Sequence, residues 1–276
     1  MKVPDKLKPL VYAGYVDEVV TQLMSGKEAT VYIVEAQGQL LCAKVYKDAN
    51  QRSFKHKTDY TEGRRVRNSR RSRAMEKSSK YGRKEREEEW QNTEVEAMYR
   101  IAAAGVRIPQ IHNYVESVLL MELVVDEEGN AAPRLHDVEL SKEQANEYFL
   151  FLIGEAVRML CSGIIHGDLS EYNILLGKNG PVIIDFPQAV DASGNNNASK
   201  IFERDITAVT AFFSRFAPEL AETNYAKEIW DLYKRGKLTT ETKLTGRFES
   251  SNKKINVKEV MQAIEDAREE EMERRL

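Results

Sequence analysis

The sequence predicts an α+β fold in two parts, a β-rich first portion and a mainly helical second. Three observations carry that expectation. Val19–Val34 and Leu40–Tyr46 have the β-branched and aromatic content of strands and are broken by turn residues. Between about Tyr81 and Ala104, and again from Ser141, apolar residues recur at helical spacing. Inside the helical portion, Ile174–Leu176 and Val182–Ile184 form an isolated pair of short strands joined by Gly177-Lys178-Asn179-Gly180.

The elements follow in order. Val19–Val34 reads as strand, turn, strand, with Ser25-Gly26-Lys27-Glu28 at the bend, and Gly38 supplies the turn into Leu40–Tyr46. Asn50–Lys80 lacks apolar periodicity and reads as a poorly ordered loop. Between Tyr81 and Ala104 a helix carries Trp90, Glu94, Ala97, Met98 and Ile101 on one face, and Gly105 stops it. An acidic residue in that inward stripe is unusual. Ile111–Val115 and Val118–Val125 form another strand pair, leading to an acidic turn at Asp126–Asn130. Ser141-Lys142-Glu143-Gln144 has capping-box character and opens a helix to about Cys161. Helices are expected over Ser199–Phe216, Ala217–Arg235 and Val257–Arg275.

The 276 residues suffice for one large domain or two lobes around a cleft. The longest apolar run, near Val118–Val125, is interrupted by Glu122 and too short to span a membrane. No charged-then-apolar signal opens the chain, and Cys42 and Cys161 read as two buried reduced thiols, which together suit the cytoplasm. The net charge of −3 conceals a segregation: residues 51–86 hold 14 Lys/Arg against 4 Asp/Glu, leaving about +10 there and about −13 elsewhere.

The chemistry concentrates in His166-Gly167-Asp168-Leu169-Ser170-Glu171-Tyr172-Asn173. An Asp, an Asn five residues later and Ile184-Asp185-Phe186 twelve residues beyond that form the set phosphoryl transfer from Mg-ATP requires. Asp168 would orient the attacking hydroxyl and accept its proton, while Asn173 and Asp185 would hold Mg2+ or Mn2+. Taken singly, each of the three suits a turn or loop cap; their spacing between apolar strands favours the functional reading. Lys44 lies in the otherwise apolar Leu41–Tyr46 strand and must face solvent or meet an anion. Its natural partners are nucleotide phosphates and Glu94. Ser25 and Lys27 lie in a bend that brings backbone N–H groups toward phosphates, although its one glycine makes it neither a glycine-rich nor a Walker loop. His56, His112 and His136 read as surface or packing residues, and His166 as a brace for the catalytic loop.

Residues 51–86 admit three readings: a solvated linker, a ribosomal RNA or pre-ribosome contact through Arg64, Arg65, Arg67, Arg70, Arg71 and Arg73, or docking of an acidic protein. Ser69, Ser72, Ser78 and Ser79 are candidate sites of self-phosphorylation.

From Val16 to Phe216 the chain resembles the RIO family of atypical serine protein kinases. Ser25-Gly26-Lys27-Glu28-Ala29-Thr30-Val31-Tyr32 looks like its phosphate loop, and Ile183-Ile184-Asp185-Phe186-Pro187-Gln188 like its metal loop. The resemblance implies a bilobal protein-kinase-like fold with a truncated activation segment, an N-lobe over residues 1–123 and a C-lobe over 124–276. It implies ATP and Mg2+ as cofactors, and a protein serine or the chain itself as acceptor. Asp168 and Asp185 would be catalytic, with Asp185 transiently phosphorylated in an ATPase cycle. Backbone at Glu122 and Val124 would hold adenine, and Asp205 would brace the catalytic loop. The chain begins too close to the phosphate loop for the winged helix of one RIO branch. His166-Gly167-Asp168 also occurs in aminoglycoside- and choline-kinase-like phosphotransferases, which leaves a small-molecule acceptor or an ATP-gated assembly factor as alternatives.

Overall fold

A computed structural model describes residues 2–26, 29–47 and 94–248. Lys27, residues 51–86, Trp90 and the expected helix Val257–Arg275 lie outside them. The chain divides into a unit Met1–Gly246 and a unit Arg247–Leu276. The second has only Arg247 and Phe248 among the described residues, so the architecture below is that of the first.

That unit is bilobal, with a sheet-based N-lobe and a helical C-lobe. The N-lobe sheet comprises β1 (Glu18–Ser25), β2 (Ala29–Ala36), β3 (Gln39–Tyr46), β4 (Ile111–Val115) and β5 (Val118–Glu122), in the order β1-β2-β3-β5-β4 with every pairing antiparallel. β3 is central and buried from Leu41 to Tyr46. Strand alternation divides its side chains: Leu41, Ala43 and Val45 face an outer apolar cluster, whereas Tyr46 joins the core toward the C-lobe. Lys44, even-numbered like Tyr46, therefore emerges on the cleft side. The β2–β3 turn is the expected one, with Gln37 and Gly38 both at positive φ.

What covers the outer face was not expected from the residue pattern. Residues 2–16, including a short helix α1 (Lys8–Tyr12), fold over it and bury Leu7 and Leu10 completely against Val19, Val34 and Leu41. Two leucines so buried contribute roughly 1.5–3 kcal/mol each. Helix α2, seen over 94–103, lies on the other side and buries Val95, Ala97, Met98 and Ile101 in the main core.

The C-lobe is built on α3 (Lys142–Cys161). Its capping box is present as read: Ser141 Oγ accepts from Gln144 N–H at 3.2 Å, and Gln144 Oε1 accepts from Ser141 N–H at 3.0 Å. Beside it lie β6 (Ile164–Ile165), the hairpin β7 (Ile174–Gly177) and β8 (Gly180–Ile183), β9 (Val190–Asp191), α4 (Ala198–Phe213) and α5 (Tyr225–Lys234). The activation segment is short: β9 returns to pair with β6, and α4 begins soon after. One expected helix, Ala217–Arg235, is divided. A 3-10 turn covers Pro218–Glu222, Thr223 is extended, and α5 starts only at Tyr225; Pro218 fits the first turn of a helix but not its interior. Of the two free thiols, one is buried as expected and the other is not. Cys42 is buried and its pKa is pushed up to about 12 by that burial, whereas Cys161 is exposed at the end of α3.

Candidate active site

Two loops and one strand converge between the lobes. On β3, Lys44 pairs across the ladder with Val31 on β2 and Leu119 on β5, which fixes its depth in the cleft. Its Nζ donates to Glu94 Oε1 of α2 and to Asp185 Oδ1, each at 2.8 Å. Burial pulls the ammonium toward deprotonation, but Asp185 and Glu94 together outweigh it and hold the lysine pKa well above its ordinary value. The Asp185 carboxyl responds in kind. Burial would raise it, and Lys44 brings it below the usual aspartate range. Glu94 is only 1% exposed, whereas the Asp185 side chain is 42% exposed. A buried carboxylate thus positions the lysine, and the lysine's other anchor stays open to the cleft.

The catalytic loop is held from beneath. His166 is buried, and its Nδ1 accepts from Asp168 N–H at 3.2 Å. The ring proton is therefore on Nε2, which donates to Ile184 O at 3.0 Å. Burial drives the His166 pKa down to about 4 despite that carbonyl, so the ring is neutral. Gly167 has φ +85°, a conformation that glycine adopts freely. Its N–H donates to buried Asp205 Oδ2 at 2.7 Å, and Arg204 donates to its carbonyl. Desolvation raises the Asp205 pKa to about 7 against these contacts.

Asp168 is exposed, yet surrounding protein desolvates its carboxyl enough to raise its pKa, opposed by the hydrogen bond from Asn173. Asn173 Nδ2 donates to Asp168 O at 2.8 Å and to Asp168 Oδ2 at 3.1 Å. With its NH2 group spent, the Asn173 amide oxygen is the end left for another partner. Asn173 O also accepts from Ile184 N–H at 3.0 Å, extending the β7–β8 ladder by one step and setting Asn173 beside the start of the Asp185 loop. Asp185 takes φ +68° and Phe186 is fully buried against the His166 ring, 4.7 Å between centroids. An amide oxygen and a half-open carboxylate at adjoining ends of one hairpin are hard oxygen donors, and they fit Mg2+, which completes its shell with water and phosphate. Among the described residues there is no group of three or more His, Cys, Asp or Glu suited to an all-protein metal cage.

The interlobe connection is pinned. Glu122 carboxylate oxygens accept from Arg107 Nη2 at 2.7 Å and Nη1 at 2.8 Å, while Arg107 N–H donates to Glu155 Oε2 at 2.5 Å and Arg107 O accepts from Ile183 N–H at 3.0 Å. Val124 O accepts from Ala132 N–H at 2.9 Å, but Val124 N–H has no acceptor among the described residues. Ser25 and Gly26 are held by Lys47, whose Nζ donates to Ser25 Oγ at 3.1 Å and Gly26 O at 2.7 Å.

Of the residues singled out in the sequence, Lys44, Glu94 and Asp185 are in direct contact, as are Asp168 and Asn173. Ser25 lies on the phosphate-loop bend, Glu122 and Val124 on the connection, and Lys27 outside the described residues. Arg107, Glu155 and Lys47 were missed. Glu155 had a legible signal, being a lone acid within the apolar run Phe149–Leu160 of α3, the same anomaly that marked Glu94.

The family model for the RIO domain matches residues 30–226. Serine/threonine-protein kinase rio1 of Schizosaccharomyces pombe is 29% identical over 213 residues, covering 76% of this chain and 41% of the relative. RIO-type serine/threonine-protein kinase Rio1 of Haloferax volcanii is 34% identical over 213 residues, covering 75% of this chain and 67% of the relative. RIO-type serine/threonine-protein kinase Rio2 of Methanocaldococcus jannaschii is 39% identical over 113 residues, 40% of each chain. The matched region thus spans about two fifths of the fission-yeast relative and about two thirds of the haloarchaeal one.

Proposed function

The chain belongs to the RIO domain family, and we propose that it transfers the γ-phosphoryl group of Mg-ATP to a protein serine, its own included. The observation that carries this reading is the double contact of Lys44 with Glu94 and Asp185, each at 2.8 Å. It ties strand, helix and metal loop to one cation at the depth where phosphates would lie.

Lys44 is the positive charge that receives the phosphates, and Glu94 fixes where it sits. Val124 N–H, unpaired among the described residues, and the Glu122 backbone are the groups for adenine. Asn173 through its amide oxygen and Asp185 through its carboxylate would hold the divalent cation. When bound, that cation bridges the phosphates and neutralises charge developing between them. Asp168 orients the acceptor hydroxyl and takes its proton, and its raised pKa makes it a better base than a free aspartate. Gly167, held by Asp205 and Arg204, keeps Asp168 at one height while the acceptor enters.

A second reading is favoured by Asp185 itself. One of its oxygens is on Lys44, and the other has no hydrogen-bond partner among the described residues while the side chain is 42% exposed. That oxygen could attack the γ-phosphorus directly as the bond to the β–γ bridging oxygen breaks and ADP leaves. Water would then hydrolyse the aspartyl phosphate and restore the carboxylate, an ATPase cycle.

The two readings separate when wild type, Asp168→Ala and Asp185→Ala are incubated with Mg2+ and γ-labelled ATP. Stable label on serine that disappears in Asp168→Ala supports the kinase. Hydroxylamine-labile label that disappears in Asp185→Ala supports the ATPase. Absence of both label and phosphate release, with rapid labelling of a small hydroxyl compound instead, would sink both readings.

A further inference from the structure

Arg134 lies outside every motif read from the sequence. Its backbone bridges to Leu175 on β7, and Pro133 O, one residue earlier, accepts from Leu176 N–H at 2.9 Å. These contacts fix its Cα on the C-lobe side of the cleft. The side chain crosses to the other lobe, where Nη2 lies 3.8 Å from Met24 Sδ on β1, immediately before Ser25. Its charge also reaches the metal loop. Burial raises the Asp185 carboxyl, Lys44 lowers it most, and the Arg134 charge adds to the downward pull.

The three cations around the phosphate loop that the structure describes are differently employed. Lys44 is committed to two carboxylates, and Lys47 to a hydroxyl and a carbonyl. Arg134 makes no ion pair among the described residues, and its one hydrogen-bond acceptor there is a thioether sulfur. Sulfur is a weak acceptor for a group carrying five N–H donors. A half-buried guanidinium so placed is poorly matched to its present partner and well matched to phosphate oxygens, which its planar fork can grip in pairs.

We propose that Arg134 is a phosphate-binding residue that releases the Met24 sulfur and engages the nucleotide's phosphates from the C-lobe side, while Lys44 engages them from the N-lobe. The assignment rests on the phosphotransfer reading and adds to it a clamp across the cleft mouth, supplied by the segment that follows the interlobe connection.

Calorimetric titration of adenosine, Mg-ADP and Mg-ATP into wild type, Arg134→Met and Arg134→Lys tests it. Arg134→Met is expected to weaken Mg-ATP by roughly 10- to 100-fold, the worth of a charge-assisted contact, and to leave adenosine unchanged. Arg134→Lys is expected to recover part of the loss. Equal weakening of adenosine, or Mg-ATP affinity identical to wild type, would overturn the assignment. Melting midpoints of the nucleotide-free variants matching wild type exclude misfolding, and Arg134→Gln replaces Arg134→Met should the latter not fold. Wild type that binds none of the three ligands sinks the phosphotransfer reading itself. Wild type that binds Mg-ATP no better than Arg134→Met sinks only the clamp.

Discussion

His166 joins two loops through its two ring nitrogens, and both contacts need the neutral ring: Nδ1 must accept from Asp168 N–H while Nε2 donates to Ile184 O. Burial enforces this by lowering its pKa to about 4. In the unfolded chain the ring titrates near 6.5, so between pH 4 and 6.5 the unfolded state binds more protons and stability rises with pH. Asp205 acts with the opposite sign. Its folded pKa is near 7 because of burial, against an ordinary value of 3.8, so its contribution is full below pH 4 and is lost as pH rises through 7. Chemical denaturation across pH 4.5–7.5 should therefore show the wild type's advantage over His166→Gln growing with pH, by at most about 1.4 kcal/mol per pH unit. Its advantage over Asp205→Asn should shrink across the same range. Parallel curves for either pair would mean that the group does not titrate as its surroundings dictate.

At the scale of elements, the cleft depends on how closely the interlobe connection rides on the β7–β8 hairpin. Lys178 N–H donates to Val125 O and Leu176 N–H to Pro133 O, both at 2.9 Å, so the connection is laced along β7. Gly177 makes that approach possible, since a Cβ there would lie 2.8 Å from Val124 Cγ1 and 3.4 Å from Val125 O. Gly177→Ala is expected to cost about 1–3 kcal/mol through overpacking and to weaken nucleotide binding by displacing Val124 N–H. Adding Val124→Ala removes the clashing methyl groups and should return most of the stability. A double mutant less stable than Gly177→Ala alone would place the strain elsewhere. The hairpin itself was legible, because Ile174–Leu176 and Val182–Ile184 have strand composition and the Asp168, Asn173 and Asp185 spacing marks where their ends meet. The Lys44–Glu94 pair was legible too, because each is a charge where the pattern demands an apolar residue. The lacing of the connection was not, for it runs through backbone groups that every residue carries. Leu7 and Leu10 escaped for a related reason, since five residues of α1 are too few to show a period. Arg107 and Arg134 are ordinary surface arginines in sequence, and only the paths of the chain bring them to Glu122 and Met24.

For the molecule as a whole, charge is divided along the chain, with about +10 in residues 51–86 and about −13 in the remainder. An anionic body repels nucleic acid, so any affinity for a polyanion must be local to that segment and must overcome the rest. We propose a ribosomal RNA or pre-ribosomal partner for it, on the strength of the arginines Arg64, Arg65, Arg67, Arg70, Arg71 and Arg73. Six neutralised phosphates on single-stranded RNA predict a log–log dependence of affinity on salt with a slope of roughly −4. Removing residues 51–86 should abolish that binding, and affinity for Mg-ATP should persist because Lys44, Asn173 and Asp185 all lie outside the deletion. Filter binding of an unstructured single-stranded RNA at roughly 50–300 mM salt, with nucleotide binding measured on the same preparations, checks both halves. RNA affinity that survives the deletion, or that ignores salt, would remove the segment as the contact and leave it a linker or a dock for acidic protein. Loss of Mg-ATP affinity together with RNA affinity would instead tie the segment to the cleft, because in sequence it follows β3, which carries Lys44, and precedes α2, which carries Glu94.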